Sequence, residues 1–202
     1  MKYLFITGVN RSGHSTLVKL LNTDPQIEML DERPFVLPWH WKYSNRTEEF
    51  KKDFLDFFKV KMSKSYGGHK FVGGAACYYL KAIPFIKEHF PEARIAIIKR
   101  NRNEVISAFA DKLNLDERHT EAIITSKFLS RLDPNASNWE IAYPKYQSIE
   151  GVEKMDLFRE LVGSYWDEFY GAAYRYAEEY ENIKIYNSEE LIKGNNYKKL
   201  VE

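Results

Sequence analysis

The chain has 202 residues, enough to bury roughly 70% of its unfolded surface in a core that needs no covalent staples. Hydrophobic residues at 44% and charged residues at 29% argue against disorder, and 30 Lys/Arg against 29 Asp/Glu argue against a general nucleic-acid binder. A single cysteine, Cys77, excludes an internal disulfide framework and a multi-cysteine metal site.

Tyr3 to Thr7 is a short apolar run that leads into a glycine loop, followed by Thr16–Leu21 at helical spacing, so the chain opens strand, loop, helix. The apolar part of this start is too short for a secretory leader, and a reducing, cytoplasmic setting is expected. Asn22-Thr23-Asp24-Pro25 ends the helix, and Gln26 to Leu30 reads as a second strand leading to Asp31-Glu32-Arg33-Pro34. Phe50, Phe54, Phe57, Phe58 and Met62 recur at three and four, which predicts a helix over 47–63 with Thr47 as its cap.

Lys70 to Gly74 reads as a strand and turn, and Cys77 to Phe90 as a helix with a kink or boundary at Pro84. Arg94 to Ile98 is a near-continuous apolar run, the pattern of a parallel strand buried on both faces. A helix follows from Asn103 to Lys112, then another near 117–131 and a surface excursion or lid within 113–150. Met155 to Tyr180 is a long aromatic-rich helix expected to pack, Ile183 to Tyr186 a last strand, and Ser188 the cap of a short helix. Strands alternate with helices throughout. The fold class is therefore α/β, a three-layer sandwich with a mainly parallel central sheet, in one domain spanning 1–202. No stretch reaches the length of a membrane span.

Charge is uneven along the chain. Residues 1–112 hold 19 basic and 12 acidic side chains, a net of +7, and residues 113–202 hold 11 and 17, a net of −6. An anionic ligand handled by the first half would suit that bias. Gly8-Val9-Asn10-Arg11-Ser12-Gly13-His14-Ser15 fits GxxxxGK[ST] everywhere except the lysine, where His14 stands. Such a loop turns backbone amides onto a phosphate at a helix N-terminus, where the macrodipole adds to them. The missing lysine, and a strand that ends in Lys99-Arg100 instead of an Mg²⁺-binding aspartate, point away from triphosphate hydrolysis.

These residues resemble a known family. Arg11-Ser12-Gly13-His14-Ser15-Thr16-Leu17 is similar to the 5′-phosphosulfate loop of sulfotransferases, [KR]SGTT-L, with His14-Ser15 in place of two threonines. Lys99-Arg100-Asn101-Arg102-Asn103-Glu104-Val105-Ile106-Ser107 keeps the basic-to-serine spacing of that family's 3′-phosphate element, and Phe90-Pro91-Glu92-Ala93-Arg94 precedes it as in the family. Gapless matching sets Lys99 at the family's arginine, and a one-residue shift would make it Arg100; both remain candidates. Tyr186 to Leu191 resembles the segment after the last core strand.

The resemblance implies a P-loop NTPase-like fold and sulfuryl transfer from 3′-phosphoadenosine 5′-phosphosulfate (PAPS), leaving PAP, with no metal required. It implies donor binding by Arg11, Ser12, Gly13, His14, Ser15, Thr16, Lys99, Arg100 and Ser107. Arg11 would stabilise the leaving oxygen, Glu32 is the first choice of base for the acceptor, and His14 the second. A small-molecule or carbohydrate acceptor is expected. Trp39, Trp41, Tyr43 and the aromatic helix after them are either core or acceptor pocket, and His40 and His69 are outside candidates for a role in the site. Two other classes stay open: a small P-loop kinase or other NTP-dependent phosphotransferase, and a nucleotide-binding module without turnover.

Overall fold

The computed structural model describes residues 2–31, 52, 55, 56, 68–113, 135–145, 154–193 and 196–201. Five strands form one sheet: β1 (Lys2–Thr7), β2 (Ile27–Asp31), β3 (Phe71–Ala75), β4 (Arg94–Lys99) and β5 (Ile183–Asn187). Their order is β2-β3-β1-β4-β5 and every pairing is parallel. β1 is central, with Lys2 opposite Phe71 on one side and Leu4 opposite Arg94 on the other.

Around the sheet lie α1 (His14–Leu21), α2 (Tyr79–His89), α3 (Arg102–Leu113), α4 (Lys154–Glu179), α5 (Ser188–Ile192) and a 3₁₀ turn (Tyr197–Leu200). Strand side chains alternate between the two faces, and each face has its own core. Leu4, Ile6, Ala96 and Ile98 pack with Leu17, Val18 and Leu21 of α1, Leu191 of α5 and Leu200. Phe5, Ile95, Ile97 and Ile183 pack with Ile83 and Ile86 of α2, Val105 and Phe109 of α3, and Phe158, Tyr165, Phe169 and Tyr170 of α4. The architecture is thus α/β with helices on both faces of a parallel sheet, as the alternating pattern implied.

Three local details differ from expectation. Pro84 lies inside α2, which excludes the boundary of the two readings given for it. The carbonyl it leaves unmatched is Leu80's in the first turn, and burial of Leu80, Ile83 and Ile86 carries the helix through. The cap of α5 is Asn187, not Ser188. Asn187 is still extended, with ψ 125, and its Oδ1 accepts from the Glu189 N–H at 2.8 Å, while Ser188 is already helical and buried. Of the excursion, residues 135–145 form a turn in which Ala136, Ile141 and Ala142 are buried.

Lys52, Leu55 and Asp56 of the helix expected over 47–63 are helical. The remainder of that helix, the helix near 117–131, Glu32, Trp39, His40, Trp41 and Tyr43 lie outside the described residues. No helix among the described residues is long and apolar enough to cross a membrane.

Candidate functional site

The loop between β1 and α1 leaves the centre of the sheet at its C-terminal edge. Ser12 N–H closes a turn onto the Val9 carbonyl at 3.0 Å, with Arg11 inside the turn at φ 71 and Gly13 just after it at φ 100. For an L-residue such as Arg11 the left-handed region costs about 1–2 kcal/mol, and Gly13 meets it without a Cβ penalty. Gly8 is required for a different reason. A Cβ there would lie 2.4 Å from Ser12 Oγ and 2.6 Å from the Ile98 carbonyl.

Gly13 caps α1 with its backbone alone, and the first turn carries no acidic side chain. The positive end of the helix dipole and its first N–H groups therefore face the loop without a carboxylate to neutralise them. Asn10, Arg11, Gly13, His14, Ser15, Thr16 and Arg100 line a cavity of about 260 Å³ there.

The loop is tied down from several sides. Asn10 Nδ2 donates to the Ala142 carbonyl at 2.8 Å, and the buried Tyr165 hydroxyl donates to the same oxygen at 3.2 Å. Burial pushes the Tyr165 phenol well above its ordinary pKa, so it stays a donor. Ser15 Oγ donates to Asp31 Oδ1, at the end of β2, at 2.9 Å. Ser12 and His14 are both buried, with Ser12 Oγ 3.4 Å from His14 Nδ1.

Arg100 and Lys99 diverge. Arg100 Nη1 donates to the Arg11 carbonyl at 3.1 Å and Nε to Glu104 Oε2 at 2.8 Å, while its own carbonyl accepts from Trp166 Nε1 at 2.9 Å. Lys99 turns to α4 instead. Its ammonium donates to the Tyr174 hydroxyl at 2.6 Å and lies 5.2, 5.9 and 5.0 Å from the ring centres of Trp166, Tyr170 and Tyr174. Arg102 pairs with Asp167 at 3.1 Å. A second cavity of about 490 Å³ opens here, lined by Lys99, Arg100, Glu104, Trp166, Asn187 and Glu189 among others, so Arg100 borders both spaces.

Of the residues expected at the site, Arg11, Gly13, His14, Ser15, Thr16 and Arg100 share the loop cavity, and Lys99 borders the second. Ser107 is exposed on α3 and lines neither. His69 sits 3.5 Å from Glu28, nearer the N-terminal ends of β2 and β3. Glu104, Asn10, Tyr165 and Trp166 escaped the sequence reading. An acid five residues after the strand's last lysine was a signal, but the aromatic pair gives no pattern distinct from core. A third cavity, about 220 Å³, is lined by Arg94, Lys184, Tyr186 and Lys199 toward the other end of β4 and takes no part in the loop.

Comparison with known proteins bears on this geometry. The chain is similar over 96% of its length to 75% of a sulfotransferase from Alicyclobacillus acidocaldarius, at 20% identity and a TM-score of 0.49. No curated protein sequence matches it. The model of the sulfotransferase family matches residues 4–150, which run from β1 through the loop and the end of β4 and make up well over half of the chain; the chain belongs to the sulfotransferase family.

Proposed function

We propose that this chain moves a sulfuryl group from PAPS to the hydroxyl or amine of a small-molecule or carbohydrate acceptor. In that reaction the bond from sulfur to the 5′-phosphate oxygen breaks, a bond from sulfur to the acceptor atom forms, the acceptor's proton passes to a base, and PAP leaves. The observation that carries the reading is the loop cavity. An uncapped helix N-terminus, a left-handed turn at Arg11 and the Arg100 guanidinium converge on it, a donor set that fits a phosphate monoester. Family membership supports sulfuryl as the group transferred.

Within this reading the loop amides, Ser12, Gly13, Ser15 and Thr16 hold the 5′-phosphate, and Arg11 meets the charge that grows on the leaving oxygen. Arg100 borders both cavities, so its free N–H groups serve the phosphate in the loop as well as the 3′-phosphate, for which Lys99 and Ser107 on the same strand-to-helix element are the other candidates. Glu32, which follows Asp31 in the sequence, is the base. His14 is buried at 4% exposure, which suits packing beneath the loop better than proton transfer from an acceptor.

A second reading, ATP-dependent phosphotransfer, rests on one contact. The Ser15 hydroxyl and the Asp31 carboxylate, 2.9 Å apart, are an oxygen pair of the kind that holds Mg²⁺ in P-loop enzymes. Calorimetric titration with PAP, beside ATP with and without Mg²⁺, separates the two. Metal-independent binding of PAP and weak binding of ATP are expected. Binding of ATP that needs Mg²⁺, with PAP ignored, would overturn the sulfotransferase reading for this site.

A further inference from the structure

Arg100 is held at three points. Trp166 Nε1 fixes its carbonyl, the Arg11 carbonyl takes one N–H of Nη1, and Glu104 takes the Nε–H at 2.8 Å. Two of the five guanidinium N–H groups are thereby used, and the other three have no partner among the described residues. The guanidinium borders the loop cavity, so its orientation decides where those three point.

Glu104 has the means to set that orientation. Asn101 Oδ1 accepts from the N–H groups of Asn103 and Glu104, which anchors the first turn of α3. Val105, Ile106 and Phe109 carry that helix's packing, and Glu104 faces away from them into the second cavity. Packing therefore does not call for an acid here. The bond from Arg100 holds its carboxyl below the ordinary carboxylate range, so it is ionised at neutral pH. A carboxylate adds its own charge to the bond from Nε–H, which an amide in its place would not.

We propose that Glu104 is a positioning residue for the phosphate loop: it presses the Arg100 guanidinium against the Arg11 carbonyl, which fixes the left-handed turn and aims the remaining N–H groups into the loop cavity. The inference deepens the anion-binding reading of that loop and rests on it. An ordinary surface pair at this spacing would contribute almost nothing. A carboxylate that merely competed with the ligand for Arg100 would have the opposite sign.

The test titrates the wild type, Glu104→Ala, Glu104→Gln, Arg100→Ala and the double variant with two probes: PAP, and inorganic sulfate, which needs the loop alone. Glu104→Ala is expected to weaken both probes about three- to tenfold with an unchanged unfolding midpoint. Glu104→Gln, which still accepts from Nε, should lose less. The double variant should bind like Arg100→Ala, because Glu104 acts through Arg100. Equal or tighter binding by Glu104→Ala, or losses that multiply in the double variant, would overturn the proposal. A wild type that takes sulfate in a Glu104-dependent way and ignores PAP would support the positioning role and sink the nucleotide reading. One that binds PAP indifferently to Glu104 would do the reverse, and one that binds neither probe would remove both.

Discussion

Replacing Gly8 by alanine tests the closeness of the loop to the sheet. The new Cβ would meet the Ile98 carbonyl at 2.6 Å, where ordinary contact begins at 3.4 Å, so the end of β1 and β4 must part by 3.4 − 2.6, or 0.8 Å. The other near atom, Ser12 Oγ, can rotate aside. The carbonyl cannot, because it belongs to a strand paired on both sides and accepts from the buried Tyr170 hydroxyl at 2.6 Å. Overpacking of this size costs about 1–3 kcal/mol, and at about 2–4 °C per kcal/mol for a chain this long the unfolding midpoint should fall by about 2–12 °C. Ligand affinity should fall as well, since the displaced loop no longer aims its amides at the bound anion. Thermal unfolding followed by circular dichroism, with PAP titration of the folded variant, reads both. A Gly8→Ala protein with wild-type midpoint and affinity would refute the claim that the Ile98 carbonyl backs the loop.

Three other outcomes are expected. Arg11→Ala should reduce turnover with PAPS far more than it raises the PAP dissociation constant, because in the proposed reaction its charge meets the developing leaving oxygen; steady-state kinetics with unchanged turnover would remove that role. Arg100→Ala should weaken PAP more than Lys99→Ala, since the Lys99 ammonium is already held by Tyr174 and the α4 rings; the reverse ranking in calorimetry would reassign the phosphate ligand. Burial raises the Tyr143 phenol to about 12. The fold favours its neutral form, so stability is intact below the ordinary tyrosine pKa of about 10 and about 3 kcal/mol is lost as pH rises from about 10 to about 12. Urea midpoints at pH 9 and 11.5 should diverge less in Tyr143→Phe, and equal divergence would dismiss this source.

The sequence reading reached the loop because glycine spacing is local: Gly8 and Gly13 bracket a turn whose geometry depends on eight consecutive residues. The buried strand from Ile95 to Ile98 was legible for the same reason. The divergence of Lys99 and Arg100 was not, because residue counting ignores the alternation of a strand. Lys99 shares the face of Ile97 and meets α4, while Arg100 shares the face of Ile98 and turns to the loop. Helical periodicity marked Tyr165, Phe169 and Tyr170 as packing, which they are, yet it gave Trp166 and Tyr174 the same reading although both surround a lysine. The tie between Asn10 and Ala142 joins residues 132 positions apart, and nothing in either segment's composition announces the other. Asn187 took the cap from Ser188 because the last strand runs one residue further than its apolar pattern.

The central position of β1 has a consequence for how the molecule comes together. Its hydrogen-bonding partners are remote: Phe71 pairs with Lys2, 69 residues away, and Arg94 pairs with Leu4, 90 residues away. Closing loops of that length precedes any reward from the contacts they make, so this strand is completed late on the folding path. The first 21 residues contain the entire glycine turn, but what backs it, the Ile98 carbonyl and the Ala142 carbonyl that holds Asn10, comes from later segments. Anion affinity is in that sense a property of the finished sheet, and a nascent chain halted before Lys99 is expected to lack it altogether instead of holding a weakened version.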